Sequence, residues 1–194
     1  PGTIGREGLT QLAAAGVNRL SIGVQSFQDG LLKMLGRIHD ARAALEAVQA
    51  ARKAGFQNVN IDLIFGIPGQ SAGNWLETLG RAVELSPEHI SVYGLQLEAG
   101  TPLERAVTLG KLAACPEELE LSMYRTAIDF LTGHYYEHYE ISNFARPGRW
   151  SAHNLKYWLN RPYLGIGAGA HSCFRGERFA NETSLNLYFE KVFR

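Results

Sequence analysis

The chain has 194 residues, 45% of them hydrophobic, which is enough to bury a sizeable core and too many for a disordered protein. Lysine plus arginine equals aspartate plus glutamate at 19 each, so the overall charge gives no indication of nucleic-acid binding. Two cysteines, Cys115 and Cys173, are too few and too far apart for a disulfide framework or a CxxC metal site. No apolar run reaches about 18 residues and no signal-peptide pattern is present, which predicts a cytoplasmic protein without a transmembrane segment.

Three segments have the composition of β-strands, and helix-like sequence follows each of them. They are NRLSIGVQ at 18–25, NVNIDLI at 58–64 and HISVYGL at 89–95. Cap residues and helix stops predict helices between Asp40 and Gly55, between Ser71 and Pro87, and between Pro116 and Gly133. The second of these helices is predicted to bury Trp75, Leu76, Leu79 and Val83. The strands begin about 30 to 40 residues apart, the length of a βαβ unit, so we predict an α/β fold with a parallel sheet.

The two sides of the first two strands differ in polarity. One side is apolar and holds Leu20, Ile22, Val24, Val59, Ile61 and Leu63. The other side is polar or small and holds Arg19, Ser21, Gly23, Gln25, Asn58, Asn60 and Asp62. This pattern favours a barrel-like sheet with helices outside and a polar interior that holds a ligand near the carboxyl ends of the strands. An antiparallel sheet with one solvent-exposed face is the alternative.

Three residues near those strand ends are candidates for ligand binding. Asp62 lies in an apolar neighbourhood, where a carboxylate needs hydrogen bonds, and ribose hydroxyls are suitable donors. A structural ion pair with Arg19 or Arg37 is the alternative for Asp62. Gln25 can bind a polar ligand group or cap a loop, and Arg37 can hold a carboxylate with two hydrogen bonds. The segment FGIPGQS at 65–71 is predicted to be a strand-to-helix turn whose glycines let a ligand approach the backbone.

The pattern changes near Gly133, which predicts a first domain at 1–133 and a smaller second domain at 134–194. In the second domain, HNLKYW at 153–158 combines an imidazole with two aromatic rings. The imidazole of His153 can ligate iron, and Tyr157 and Trp158 offer faces for a planar macrocycle. Nearby cations can pair with carboxylate side chains of such a macrocycle, namely Arg149, Lys156 and Arg161. Haem meets these demands, and an ordinary packed corner is the alternative.

Five stretches together resemble one known family. They are RLSIGVQSF, NIDLIFGIPGQ, SVYGLQLEAGTPL, YEISNFA and HNLKYW, and they span most of the chain. In this order they resemble the HemW family, which are radical S-adenosylmethionine (SAM) proteins related to oxygen-independent coproporphyrinogen III oxidase. The resemblance implies the later strands of a partial (β/α)6 barrel, followed by a smaller α+β region. It also implies that the chain is incomplete at both ends.

The resemblance implies roles for individual residues. It assigns Gln25, Arg37, Asp62 and Gln96 to SAM, and for Gln96 it is the only support. It assigns His153 to the haem iron and Asn154, Tyr157 and Trp158 to support of the haem. The CxxxCxxC motif that holds the 4Fe–4S cluster in this superfamily is absent here and is expected upstream. We therefore expect no catalysis by this chain alone.

Two functions are consistent with this resemblance. The first is a haem chaperone that binds haem and passes it to acceptor proteins; whether it forms a homo-oligomer is left open. The second is a coproporphyrinogen III oxidase, which carries out a radical SAM oxidative decarboxylation in porphyrin biosynthesis. A third hypothesis from outside the family is a nonredox barrel enzyme that uses Asp62 as an acid–base.

Overall fold

The computed structural model describes residues 1–192, and its main feature is a five-stranded sheet in the order β1-β2-β3-β5-β4. The strands are β1 (Leu20–Gln25), β2 (Val59–Phe65), β3 (His89–Gly94), β4 (Glu137–His138) and β5 (Asn143–Ala145). β1, β2 and β3 are parallel, whereas β5 pairs antiparallel with both β3 and β4. The predicted parallel α/β fold is confirmed, and the antiparallel alternative is wrong for the first three strands.

Helices precede, connect and follow the three parallel strands, and several of them cover the apolar side of the sheet. They are α1 (Arg6–Ala14), α2 (Asp29–Met34), α3 (Ala41–Lys53), α4 (Ala72–Glu84), α5 (Pro102–Thr108) and α6 (Glu117–Gly133). Asp40 caps α3 by accepting a hydrogen bond from the Ala43 amide, and Ser71 forms a capping box with Asn74 on α4. The cap residues therefore fix the predicted starts of these two helices. The short helices α2 and α5 were not predicted, because neither is long enough to show a helical period.

The core lies between the sheet and helices α3, α4 and α6. It contains Val24, Ile61, Leu63, Ile90 and Val92 from the strands and Val48, Trp75, Leu79, Met123, Ala127 and Leu131 from the helices. The prediction for Leu76 is wrong, since 47% of its surface is exposed. The buried stripe of α4 runs through Trp75, Thr78, Leu79 and Ala82. Leu76 is one helical step, about 100°, away from Trp75 and faces out of this stripe.

The chain divides into two compact units, Pro1–Trp150 and Ser151–Arg194. The sequence placed this boundary near residue 133. Residues 134–150 belong to the first unit because β4 and β5 continue its sheet beyond β3. The change in sequence pattern after α6 therefore coincides with the start of the antiparallel strands β4 and β5. The second unit begins later, at Ser151.

The second unit contains α7 (Ala152–Trp158), the hairpin strands β6 (His171–Phe174) and β7 (Glu177–Ala180), and α8 (Leu185–Val192). Helix α8 follows the hairpin. The glycine-rich segment before β6 is a loop, in which a Cβ on Gly165 would collide with the His171 carbonyl oxygen. Only glycine permits that approach. Each helix in the described residues is too short or too polar to cross a lipid bilayer.

Candidate functional site

A row of polar side chains occupies the side of the sheet opposite the core. Ser21, Asn60, Asp62, His89 and Ser91 come from three parallel strands and hydrogen-bond to one another across them. The register aligns Asn60 with His89 and Asp62 with Ser91. Because side chains alternate along a strand, this alignment confirms the predicted polar face.

Asp62 is half-buried, and its carboxylate is held by two polar neighbours. The Ser21 hydroxyl lies 3.0 Å from Oδ2 and 3.2 Å from Oδ1, and the Asn60 Nδ2 donates to Oδ1 at 2.7 Å. In the part of the chain that the structure describes, Asp62 forms no ion pair with Arg19 or Arg37. Asp62 is therefore a hydrogen-bonded carboxylate whose negative charge is not neutralised by a neighbouring cation.

Behind Asp62, a buried histidine joins the network. His89 is fully buried, with Nδ1 2.5 Å from the Asn60 Oδ1 and Nε2 2.7 Å from the Tyr139 hydroxyl. Burial, with a smaller contribution from the positive charge of Arg19, lowers the pKa of His89 from 6.5 to about 3. His89 is therefore neutral at pH 7.

Gln25 ends β1 in a conformation that brings its side chain back onto the polar face. A bulge shifts the pairing so that Gly23 aligns with Asp62 and Gln25 with Leu63. Gln25 has a φ of 68°, which is uncommon for a residue other than glycine. Its amide lies over Gly23, since a Cβ at that position would be 2.8 Å from the Gln25 Nε2. Gln25 and Asp62 therefore lie on the same side of the sheet, separated by Gly23.

The structure brings Gln25 and Arg37 into one cavity. Its volume is about 360 Å³, and its lining includes Gly23, Gln25, Gly36, Arg37 and His39. Small-molecule sites usually have volumes of about 300 to 1,000 Å³. Asp62 does not line this cavity but lies beside it. An amide, a guanidinium and a carboxylate at this strand end suit the polar groups of an amino-acid nucleoside such as SAM.

The fourth predicted SAM residue lies elsewhere. Gln96 is exposed, lies beyond the end of β3 at Gly94, and is not among the residues that line this cavity. The turn at 65–71 has the predicted strand-to-helix form, with β2 ending at Phe65 and α4 capped by Ser71. The first glycine of this turn is Gly66, and it does not leave open space for a ligand. The side chain of Glu120 lies 3.3 Å from the position that a Cβ on Gly66 would occupy.

Gly23→Ala tests the prediction, made from the resemblance, that Gln25 binds SAM. The new Cβ would displace the Gln25 amide, which is the end of a flexible side chain, from the position it occupies beside the cavity. We expect about a tenfold rise in the dissociation constant for SAM, measured by calorimetric titration, with little change in thermal stability. Gly30→Ala is the control, because a Cβ on Gly30 meets no atom within 4 Å. Equal affinities in Gly23→Ala and the parent protein would contradict the position assigned to Gln25.

In the second unit, HNLKYW forms helix α7. Ser151 caps it by accepting a hydrogen bond from the Asn154 amide at 3.3 Å. His153 and Tyr157 are four residues apart on one helix face, with the Tyr157 hydroxyl 3.0 Å from the His153 Nε2. Tyr157 is 43% and Trp158 50% exposed, so both side chains are partly accessible, although the Tyr157 ring also contacts the Tyr163 ring, with centroids 4.5 Å apart. An imidazole and two accessible aromatic rings therefore lie on one short helix.

The residues present do not fit an iron–sulfur cluster. Cys115 and Cys173 are free and belong to different units. Within residues 1–192, no group of three or more His, Cys, Asp or Glu side chains is placed to hold a metal ion. No chemistry through such a cluster can therefore be derived from this chain.

Several members of the polar network were not predicted as site residues. The sequence places Asn60 on the polar side of the second strand and His89 at the start of the third, with no role in binding assigned to either. The alternation of side chains along a strand indicates both residues, because Asn60 precedes Asp62 by two positions and His89 precedes Ser91 by two. Residues two positions apart on a strand lie on the same face. Tyr139 has no comparable signal, because it lies between β4 and β5 and reaches His89 only through the antiparallel pairing.

The fold and the polar strand ends define a class of protein, a partial parallel α/β barrel with a candidate SAM site. The family profile described as the radical SAM superfamily matches residues 1–82. Coproporphyrinogen III oxidase (HemN) from Escherichia coli, described as a radical SAM enzyme, superposes with a TM-score of 0.82 and 28% identity; the match covers 100% of this chain and 47% of that one. Residues 1–82 therefore match the radical SAM superfamily, and the fold of the chain matches that of HemN.

Within the superfamily, the predicted resemblance to the HemW family is confirmed. The heme chaperone HemW of Bacillus subtilis is 40% identical over 192 residues, which cover 99% of this chain and 51% of that protein. HemW of Escherichia coli is 40% identical over 172 residues, covering 88% of this chain and 44% of that one. The mitochondrial radical S-adenosyl methionine domain-containing protein 1 of Bos taurus is 44% identical over 166 residues, covering 86% and 38%. The chain spans about half the length of the HemW relatives it matches.

Proposed function

We propose that this chain is part of a HemW-like haem chaperone, which binds haem at α7 and SAM at the carboxyl end of the polar sheet face. The observation that carries the haem assignment is the arrangement of His153, Tyr157 and Trp158 on one short helix with accessible rings. The resemblance to proteins named heme chaperone HemW supports it. Haem in this proposal is cargo, held for transfer to acceptor proteins.

The residues of the first unit would bind and orient SAM. Arg37 would pair with the carboxylate of its amino-acid moiety, and Gln25 would donate a hydrogen bond within the same cavity. Asp62 would accept hydrogen bonds from the ribose hydroxyls. When bound, SAM supplies an adenosyl group for one-electron chemistry. Gln96 remains a prediction from the resemblance.

The residues of α7 would hold haem through three kinds of contact. The His153 imidazole would ligate the iron, and the exposed faces of Tyr157 and Trp158 would lie against the porphyrin. Lys156 and Arg161 would pair with the propionates. The Tyr157 hydroxyl now lies at His153 Nε2, so iron ligation by this nitrogen requires the hydroxyl to move away. Asn154 helps to form the first turn of the helix, because its backbone amide donates a hydrogen bond to the Ser151 hydroxyl oxygen.

His153→Ala tests the proposed function most directly. The substitution removes the iron ligand, and we expect the affinity for haem to fall at least about tenfold, the smallest loss typical for disruption of a metal site. The measurement is titration of the purified protein with haem, followed by the shift of the Soret band. His171→Ala is the matched control, because His171 is also an exposed histidine of the second unit. A Soret band in the parent protein identical to that of free haem would exclude the proposal.

The HemN superposition favours a second candidate, an oxygen-independent coproporphyrinogen III oxidase. The substrate of such an enzyme carries no iron, so its binding needs no axial ligand. Haem affinity that is the same in His153→Ala and the parent protein would therefore favour the oxidase over the chaperone.

A further inference from the structure

The direction of each hydrogen bond behind Asp62 is fixed by chemistry. A carboxylate only accepts hydrogen bonds, so the Asn60 amide must present its NH2 group to Asp62 and its oxygen to His89. His89 must then carry its proton on Nδ1 to donate to that oxygen. Its Nε2 accepts a hydrogen bond, and the donor is the Tyr139 hydroxyl. The chain of donors runs in one direction, from Tyr139 through His89 and Asn60 to Asp62.

The polar neighbours of the two Asp62 oxygens are unequal. Oδ1 lies 2.7 Å from the Asn60 Nδ2 and 3.2 Å from the Ser21 hydroxyl, whereas among the described residues Oδ2 has only the Ser21 hydroxyl within hydrogen-bonding distance, at 3.0 Å. Ser21 carries one proton, which it donates to one of these oxygens or shares between them. An ionised carboxylate can accept about four hydrogen bonds in all, two at each oxygen. Oδ2 therefore keeps capacity for a further donor, and the occupation of Oδ1 prevents the carboxylate from turning.

We propose that Asn60, His89 and Tyr139 are positioning residues that hold Asp62 with its Oδ2 available to a hydroxyl group of the ligand. This inference rests on the proposed SAM site, and it adds three residues, the buried Asn60 and His89 and the half-buried Tyr139, that would not touch the ligand themselves. Asn60 is 1% exposed and His89 is fully buried, so water does not replace a lost partner in this network. Removing one partner of a buried hydrogen bond therefore costs more free energy than removing a partner at the surface, where water replaces it.

The first test determines where the proton of His89 lies. Nitrogen-15 chemical shifts of the imidazole ring at pH 7 distinguish a proton on Nδ1 from one on Nε2. We expect Nδ1 in the parent protein and in Tyr136→Phe, which removes a buried hydroxyl that donates to the Pro87 carbonyl and not to His89. A proton on Nε2 in the parent protein would overturn the proposal, since Asn60 would then turn its oxygen toward Asp62.

The second test measures SAM affinity in variants of His89 and Tyr139. We expect His89→Leu to weaken binding about tenfold and His89→Asn, which restores a donor near Asn60, to recover most of that loss. Tyr139→Phe should weaken binding more than its matched control Tyr136→Phe. Equal affinities in the parent protein, His89→Leu and Tyr139→Phe would refute the positioning role.

Failure of the SAM site and failure of the positioning chain give different results. If the parent protein does not bind SAM, both the site and the positioning role are excluded, even where the His89 proton lies on Nδ1. If the parent protein binds SAM and the His89 and Tyr139 variants bind equally well, the SAM site stands and only the positioning role is lost.

Discussion

Acidification from pH 6 to pH 4 should lower the free energy of unfolding by about 2 to 3 kcal/mol through His89 alone. The pKa of His89 is lowered to about 3 in the folded protein, against an ordinary value of 6.5. Below pH 6.5 the unfolded chain therefore binds a proton that the folded protein does not. The stabilisation is fully present above pH 6.5 and is lost as the pH falls toward 3, by about 1.4 kcal/mol per pH unit in the middle of this range.

The pH dependence is measured by urea denaturation at several pH values. His89→Asn removes the titrating ring and should flatten the curve between pH 6 and pH 4, whatever its stability at pH 7. The charged or titratable groups around the ring are Tyr139 at Nε2 and the more distant Arg19, and both are retained in this variant. His134→Asn, at an exposed histidine, should leave the acid-dependent loss unchanged. A curve for His89→Asn as steep as that of the parent protein would show that other groups cause the loss.

Trp75→Ala should destabilise the first unit by about 3 to 5 kcal/mol, a large fraction of the roughly 5 to 15 kcal/mol that stabilises an ordinary domain. Trp75 is fully buried at the centre of the contact between α4 and α6. Its indole Nε1 donates to the Met123 carbonyl at 2.8 Å, and its ring centroid lies 5.6 Å from that of Phe65. The substitution removes the largest side chain of the core and leaves a cavity beside α6.

Denaturation followed by far-ultraviolet circular dichroism measures this loss without relying on tryptophan fluorescence. Leu76→Ala is the matched control, because Leu76 is the next residue of the same helix and is 47% exposed. Its effect should stay within about 0.5 kcal/mol of the parent protein. Similar losses in both variants would mean that α4 is packed along a different face.

The sequence alone predicted the features that depend on residues close to one another along the chain. Alternation along β1 and β2 predicted which side chains lie on the polar face, and Gln25, Arg37 and Asp62 were chosen from their chemistry and position. The structure places Gln25 and Arg37 in one cavity, with Asp62 beside it. The cap residues Asp40 and Ser71 predicted the starts of their helices because a cap acts on the turn that follows it.

Contacts between distant segments could not be predicted in this way. The alternative ion pair of Asp62 with Arg19 or Arg37 is absent from the described residues, where Ser21 and Asn60, at paired positions of β1 and β2, donate hydrogen bonds to the carboxylate instead. The unit boundary moved to Trp150 because β5 reaches back to pair with β3. A propensity for strand formation does not indicate which partner a strand will choose.

By itself, the sequence determined the parallel α/β class, the polar side of the sheet and the resemblance to HemW, because each of these depends on local periodicity or on the order of short segments. Only the tertiary structure decided that His89 and Tyr139 lie behind Asp62, that Gln25 folds back over Gly23, and that the aromatic rings of α7 are accessible. The physical reason is that strand register and burial are set by packing of the whole unit. A hydrogen bond such as the one from Tyr139 to His89 forms only after that packing has brought β5 beside β3.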